Sequence, residues 1–452
     1  MMRDTIYALS TPPGRGGVAV VRTSGPHAYA GLINLSGAVT DLPPFREATL
    51  RTLVHPLSHA LLDHALIIVF KGPASYTGED SVEYHLHGGI AVVEGVLEAL
   101  SHCQDHRMAQ PGEFTRRAFE NGKMDLTGAE AIADLIHAET EGQRQLALAQ
   151  MGGSLYRLYQ EWSDQLARVL ALMEADLDFS DQDLSDDILL KTRPDLTELR
   201  GAMAAHLQDN RRGEILRDGL RIVILGAPNA GKSSLMNALA RRDVAIVSPH
   251  AGTTRDTLDI HLNIKGYAVI VTDTAGLRPH DLGSAPHDQI EAEGIRRALD
   301  HARIADLKIV LFDGTAPSAD LYSLDLLDDR SLAVASKADH PDYKPELLGL
   351  PVTMLPLSVQ SAAGLGPLLE ALGHHIMRLA GSGFEAPVLT RARHREAIGR
   401  ALAALERSLD APLPELAAED VRLAIREIGH ITGRVDVEDL LDMIFRDFCI
   451  GK

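Results

Sequence analysis

The chain has 452 residues, 45% of them hydrophobic, a formal net charge of −19 and two cysteines. That length is too great for one core and points to about three domains, while the acidic balance excludes a non-specific nucleic-acid binder. Any RNA partner must meet a local basic patch or a separate, more basic subunit. No apolar run reaches membrane-spanning length, and the opening MMRDTIYALSTPPG has no secretory h-region. With only Cys103 and Cys449 no disulfide framework is expected, and a cytoplasmic location fits.

Residues 1–119 read as a mixed α/β domain. Strands are expected at 6–9 and 18–22, around the turn-rich TPPGRGG, then at 64–70 and 81–87, with a helix over 88–100. His85 and His87 share one strand face, a spacing that suits metal, yet no third ligand stands out and the pair reads as structural. From 122 to 212 the apolar spacing changes to three and four. Leu146, Met151, Leu155, Leu158, Leu166, Val169, Leu170 and Met173 mark long amphipathic helices. The acidic run 175–187 is expected to be a solvated connection.

Residues 218–378 alternate apolar runs and helical patterns, as a doubly wound sheet does. Strands are expected at 222–225, 258–264, 267–272, 308–312, 332–335 and 352–357. Helical spacing returns at 392–408, 417–431 and 438–448. The simplest architecture is a helical domain, 120–217 with 379–452, carrying an inserted Ras-like P-loop domain. Both ends of the insertion would then rest on the helices, a route for nucleotide-driven motion.

The chemistry begins at RIVILGAPNAGKSS. Strand, Gly226-x-x-x-x-Gly231-Lys232-Ser233, then helix is the context of a phosphate-binding loop. Glycines let the backbone N–H groups of Asn229, Ala230, Gly231 and the helix start (Ser233, Ser234) turn toward phosphate. Lys232 would reach the β- and γ-phosphates, and Ser233 would ligate Mg²⁺. Downstream, Gly252-Thr253-Thr254 lies in a polar loop, with Thr254 chosen to complete the Mg²⁺ shell. Asp273-Thr274-Ala275-Gly276 follows a strand; Asp273 would hold Mg²⁺ through water and the Gly276 N–H would meet the γ-phosphate. Ser336-Lys337-Ala338-Asp339 decides the base: Asp339 can accept from guanine N1–H and N2–H, and Lys337 would lay its stem along the ring. Ser336 stands where Asn is usual, and Ser358 lies near guanine O6. Leu277 replaces the glutamine that orients water in Ras-like switches, so another group must do so.

GAPNAGKSSLMNAL, AGTTRD, DTAGL, TPPGRGGVAVVRTSG, PGEFTRRAFENGKMDL and FCIGK together resemble the MnmE (TrmE) tRNA-modification GTPases over essentially the whole chain. The resemblance implies an N-terminal folate-binding and dimerising domain, a helical domain and an inserted GTPase domain. It implies a homodimer that works with an FAD-dependent partner, MnmG (GidA), in a heterotetramer. The implied product is an aminomethyl or carboxymethylaminomethyl group on C5 of the tRNA wobble uridine. A tetrahydrofolate derivative (5-formyl or methylene) is the implied one-carbon source. It also implies a K⁺ site at Asn229, with Ser248, His250 and Thr253 in the following loop, supplying the charge that an arginine finger brings elsewhere. Glu291 matches the water-orienting glutamate. Arg22, Glu79, Lys123 and Lys452 match the folate-binding positions, and Cys449 would act as nucleophile or acid near the folate. Two other readings fit parts of the sequence: a ribosome-assembly or signalling GTPase without modification chemistry, and a folate-dependent transferase that GTP only regulates. The first has no need of TPPGRGG, PGEFT or CIGK, and dependence of modified tRNA on the flavoprotein partner would discriminate the second.

Overall fold

A computed structural model describes residues 4–37, 39–178, 188–209, 211–242, 244–246, 259–273, 296, 299–350, 352–381, 387–435, 438–446, 448 and 450–451. The chain forms two compact units: residues 1–133, 156–167 and 422–452 make one, residues 134–155 and 168–421 the other.

In the first unit, β1 (Thr5–Leu9), β2 (Val18–Ser24), β3 (Thr49–Val54), β4 (Leu61–Phe70), β5 (Ser81–His87) and β6 (His106–Met108) form one sheet in the order β3-β4-β5-β2-β1-β6. All pairings are antiparallel except β1 with β6. Helices α1 (Ala28–Leu35) and α2 (Ile90–Ser101) cover one face, burying Leu32, Leu35, Val96 and Leu100 against Val21, Ile67 and Tyr84. Such burial at period 2 on strands and 3–4 on helices is what holds the unit together. The opposite face carries α3 (Glu113–Glu120), whose Phe114 packs with Ile6, Ala8 and Ala109. Farther along that sheet Leu50 pairs with Leu66, and they are 66% and 46% exposed. After α4 (Leu126–His137), a small cluster joins Leu126 and Ala129 to Leu441, Phe445 and Phe448.

Within the second unit stand α5 (Glu141–Met151), α7 (Ile188–Leu207) and α8 (Arg212–Asp218); α6 spans Ser154–Asp178. Thr140 caps α5 in a reciprocal box with Gln143, whose amide also donates to the Arg217 carbonyl at 2.9 Å. A second six-stranded sheet follows: β7 (Leu220–Gly226), β8 (Asp259–Ile264), β9 (Tyr267–Asp273), β10 (Leu307–Asp313), β11 (Ser331–Ser336) and β12 (Leu355–Pro356), ordered β12-β11-β10-β7-β9-β8. Only β8 is antiparallel to its neighbour. The interior strands are buried on both faces, so they read as continuous apolar runs rather than alternating ones. On one side pack α9 (Lys232–Ala240) and the helix Leu365–Ala380, on the other Ala302, Leu326 and Leu348. The connections into and out of the sheet are tied together. Asp134 Oδ1 accepts from Arg217 at 2.9 Å on the incoming side and from Arg391 at 2.8 Å on the outgoing side. Next to them Arg395 bridges Glu214 and Asp209, and α7 packs along Ala392–Asp410. An inserted nucleotide domain, as expected from periodicity, has its two ends side by side.

Sequence patterning and structure differ in places. Patterning alone misses α1, β3, α3 and β6: β6 has three residues and β3 is an exposed edge, so neither leaves much apolar signal. The strand expected at 352–357 is only Leu355–Pro356, because Pro356 has no N–H to extend an edge ladder. Part of the acidic run expected as a connection continues α6 to Asp178; 179–187 lie outside the described residues. Among the described residues, no helix is long and apolar enough to cross a membrane.

Gly226 has φ +143°, and a Cβ there would lie 2.4 Å from the Leu311 carbonyl oxygen. Gly226→Ala is therefore expected to destabilise the nucleotide sheet by about 2 kcal/mol or more, read as a lowered melting temperature.

Candidate nucleotide and folate sites

Parallel register decides where the nucleotide residues meet. Leu311 pairs with Gly226, Asp313 with Ser336 and Ile224 with Asp273, so the carboxyl ends of β9, β7, β10 and β11 share one edge of the sheet. Ligands of open α/β sheets bind at such an edge, where the strand order switches sides. The loop from Gly226 crosses it with Asn229 at φ +64° and Gly231 at φ +100°, both left-handed, before α9 begins at Lys232. Ala230 is buried in the core beneath, while Asn229, Ser233 and Ser234 are exposed. Lys232 Nζ folds back on its own loop, donating to the carbonyls of Gly226 at 2.8 Å and Ala227 at 2.9 Å. A left-handed glycine turn at a helix start, with a lysine folded over it, is a shape that suits a phosphate group.

At the end of β11, Ser336 is buried and its hydroxyl donates to the Phe312 carbonyl at 3.1 Å. Lys337 follows with φ +61°, its ammonium 2.5 Å from Asp313 Oδ2. Burial alone pushes the Asp313 carboxyl up, but Lys337 and the Thr315 donors outweigh it and hold the group below its ordinary value. Asp339 is exposed, and the neighbouring Ser358 hydroxyl holds its carboxyl below the usual range. Ser358 itself is buried, its N–H donating to Ala363 O at 2.8 Å. The structure thus brings Ser336, Lys337, Asp339 and Ser358 to one end of the sheet. It adds Asp313, a residue that motif spacing does not single out because it ends a different strand. Ser248, His250, Gly252, Thr253, Thr254, Thr274, Ala275, Gly276 and Glu291 lie outside the described residues; Asp273 is described as the last residue of β9.

In the first unit, Arg22, Glu79 and Lys123 all border the loop between β4 and β5. Arg22 lies over the Tyr76 ring at 5.3 Å and donates to Glu83 at 2.8 Å; Lys123 Nζ donates to the Pro73 carbonyl at 2.8 Å. Glu79 accepts from Ser24 at 2.8 Å and Arg117 at 3.1 Å. The β1 end is also where the C-terminal segment docks: Ser10 Oγ donates to Gly451 O at 3.0 Å, and Ile450 bridges Pro111. Cys449 and Lys452 lie outside the described residues. A cluster of cations, a carboxylate and an aromatic ring suits an anionic, ring-bearing ligand. Arg117, inside the segment PGEFTRRAFENGKMDL but given no role by the sequence reading, is buried at its base: it is 5% exposed and contacts both Glu79 and Glu113.

His87 Nδ1 lies 2.7 Å from Asp63 and hydrogen-bonds it, while His85 Nε2 is 3.4 Å from Glu83 and makes no hydrogen bond among the described residues. Among the described residues, the one metal-capable triad is His55, Glu98 and His102. There His55 Nδ1 accepts N–H bonds from Leu57 at 3.1 Å and Ser58 at 3.2 Å, so its neutral ring carries the proton on Nε2. That N–H donates to Glu98 at 2.7 Å, so the two side chains are joined by a hydrogen bond.

Burial pushes the Glu113 carboxyl up, but bonds from Arg107, the Gln110 N–H and Arg117 win and leave its pKa below the ordinary 4.5. A depressed folded pKa gives stability that is fully present above the unfolded value and lost as pH falls through the folded one. Acid titration of unfolding should therefore show a loss beginning below about pH 4.5, and Glu113→Gln should flatten that slope while lowering stability at neutral pH.

Known sequences fit this geometry. A family profile described as "MnmE helical domain" matches residues 126–449, and one described as "GTP-binding protein TrmE N-terminus" matches residues 5–123. A protein named tRNA modification GTPase MnmE from Parvibaculum lavamentivorans is 51% identical over 460 residues, covering 99% of this chain and 100% of its own length. Its namesake from Rhodospirillum rubrum is 48% identical over 465 residues, covering 100% of both. The mitochondrial 5-taurinomethyluridine-[tRNA] synthase subunit GTPB3 of Danio rerio is 45% identical over 479 residues, covering 99% of this chain and 93% of its own length. Full-length identity at this level, together with both family profiles, means that the chain belongs to the MnmE family of tRNA modification GTPases.

Proposed function

We propose that this chain hydrolyses GTP in the course of modifying tRNA. It does so with K⁺ and Mg²⁺ and alongside the FAD-dependent partner MnmG, building an aminomethyl or carboxymethylaminomethyl group on C5 of the wobble uridine in the cytoplasm. A tetrahydrofolate derivative supplies the one-carbon unit. The observation that carries the reading is full-length kinship with proteins named tRNA modification GTPase, joined to the site in which Lys232, Lys337 and Asp339 stand at one sheet edge.

The residues fit these roles. Lys232 exchanges its loop carbonyls for β- and γ-phosphate oxygens. The Ser233 hydroxyl, exposed at the start of α9, holds Mg²⁺ with Thr254, and Asp273 acts on it through water. When bound there, Mg²⁺ would neutralise charge on the phosphates. Asn229, exposed at the crest of the loop, is the side-chain ligand for K⁺, with Ser248, His250 and Thr253 beside it. Glu291 orients water. Asp339 accepts from the guanine edge. In the first unit Arg22, Lys123 and Lys452 meet the anionic folate, Glu79 the pterin donors, and Cys449 acts near the one-carbon unit. The exposed pair Leu50–Leu66 on the open sheet face supports dimerisation through this domain.

Hydrolysis at saturating GTP is expected to be at least about tenfold faster in K⁺ than in Na⁺, roughly a 1.4 kcal/mol difference in barrier; equal rates would sink the Asn229 assignment. The decisive test is nucleoside analysis of tRNA from cells lacking this protein. Loss of the C5-modified wobble uridine, restored by wild type but not by Asp339→Asn or Cys449→Ser, is the expected outcome. Modification that persists in the deletion would leave a GTP-binding switch without this chemistry.

A further inference from the structure

Asp313 takes no part in the nucleotide chemistry above, yet its carboxylate is the most tightly committed group at that edge. It is the cross-strand partner of Ser336. One oxygen accepts from the Thr315 N–H at 3.0 Å and the Thr315 hydroxyl at 2.6 Å, which fixes the carboxylate on its own turn. The other faces the Lys337 ammonium at 2.5 Å. Around this pair the two strand ends are laced in both directions. The Ser336 hydroxyl donates back to the Phe312 carbonyl at 3.1 Å, and the Gly314 N–H donates to the Ser336 carbonyl at 3.2 Å. A Cβ on Gly314 would lie 2.3 Å from the Tyr343 ring, so the ring seals the turn.

The pair does little for the fold as such. Lys337 is 40% exposed and Asp313 28%, and half-exposed ion pairs contribute little stability in water. Its effect lies in order. A lysine stem with four rotatable bonds must be held extended before it can serve as one wall of a base pocket, and pinning the ammonium removes that freedom beforehand. An asparagine amide would ordinarily brace this segment; here a serine hydroxyl reaches only the Phe312 carbonyl.

We propose that Asp313 is a positioning residue for base recognition: it holds Lys337 in the conformation that receives the guanine ring, and so sets nucleotide affinity without touching the nucleotide. This rests on the guanine reading given under Proposed function.

The test is a double-mutant cycle on the full chain, with GDP and ADP binding measured by titration calorimetry. Asp313→Asn, nearly isosteric and still able to accept from Thr315, is expected to weaken GDP binding about fivefold and to leave kcat at saturating GTP within about twofold. In the Lys337→Ala background the same change is expected to add less than about twofold, because its effect runs through Lys337. Should Asp313→Asn not fold, Thr315→Val, which removes the hydroxyl donor to the carboxylate and keeps the N–H, is expected to give a smaller loss in the same direction that also vanishes with Lys337→Ala. Unchanged GDP affinity in Asp313→Asn, or fully additive losses in the double variant, overturns the proposal while the guanine reading stands. Wild-type protein that binds ADP as tightly as GDP overturns the guanine reading, and the inference with it.

Discussion

The close approach of Gly226 to the Leu311 carbonyl is the constraint on which the nucleotide site depends. It lets β7 lie in parallel register with β10 right up to the point where the chain leaves the sheet. A side chain there would push the phosphate loop away from the strand ends that carry Asp313 and Ser336. With register fixed, the remaining parts need only short reaches: a lysine folded over the loop, a serine on the next strand's carbonyl, a carboxylate on the following ammonium. Each contact is local. Their coincidence at one edge is a property of the sheet.

The first unit solves a different problem, that of keeping carboxylates close together beneath the loop between β4 and β5. Arg117 does so by sitting between Glu79 and Glu113, with Arg107 meeting Glu113 from the other side. A guanidinium presents several donors in a fixed plane, so one residue can order two acidic groups that would otherwise repel. Removing it would take one charged donor from each carboxylate, leaving Glu113 with Arg107 and Glu79 with the Ser24 hydroxyl.

Sequence legibility follows the same division between local and assembled features. The phosphate loop, the helices of 126–207 and the central strands of the second sheet are readable because each is specified by neighbours in sequence: glycine spacing, periodicity, an apolar run. Ser336, Lys337 and Asp339 are readable as a short motif. Asp313 is not, since Lys337 stands at the end of another strand, and Arg117 is only half so: Glu113 is one helical turn away, but Glu79 lies on a distant loop that folding brings near. The edge strands β3 and β6 and the truncated β12 escape for a related reason, because an edge with one neighbour needs little apolar content. Ser336 shows the reverse case: its departure from asparagine is plain in sequence, while the carbonyl it bonds to is visible only across the strand pair.

Asp134 joins Arg217 and Arg391 at the neck through which the chain enters and leaves the nucleotide sheet. Because one carboxylate oxygen serves both guanidinium groups, displacing either connection takes away one of the two cations that meet Asp134. The neck therefore behaves as a single graft point. A short linker from 217 to 391 would preserve the ionic knot after excision of everything between, and a different nucleotide domain could be spliced in at the same place. The helical scaffold is, in this sense, modular at one covalent locus.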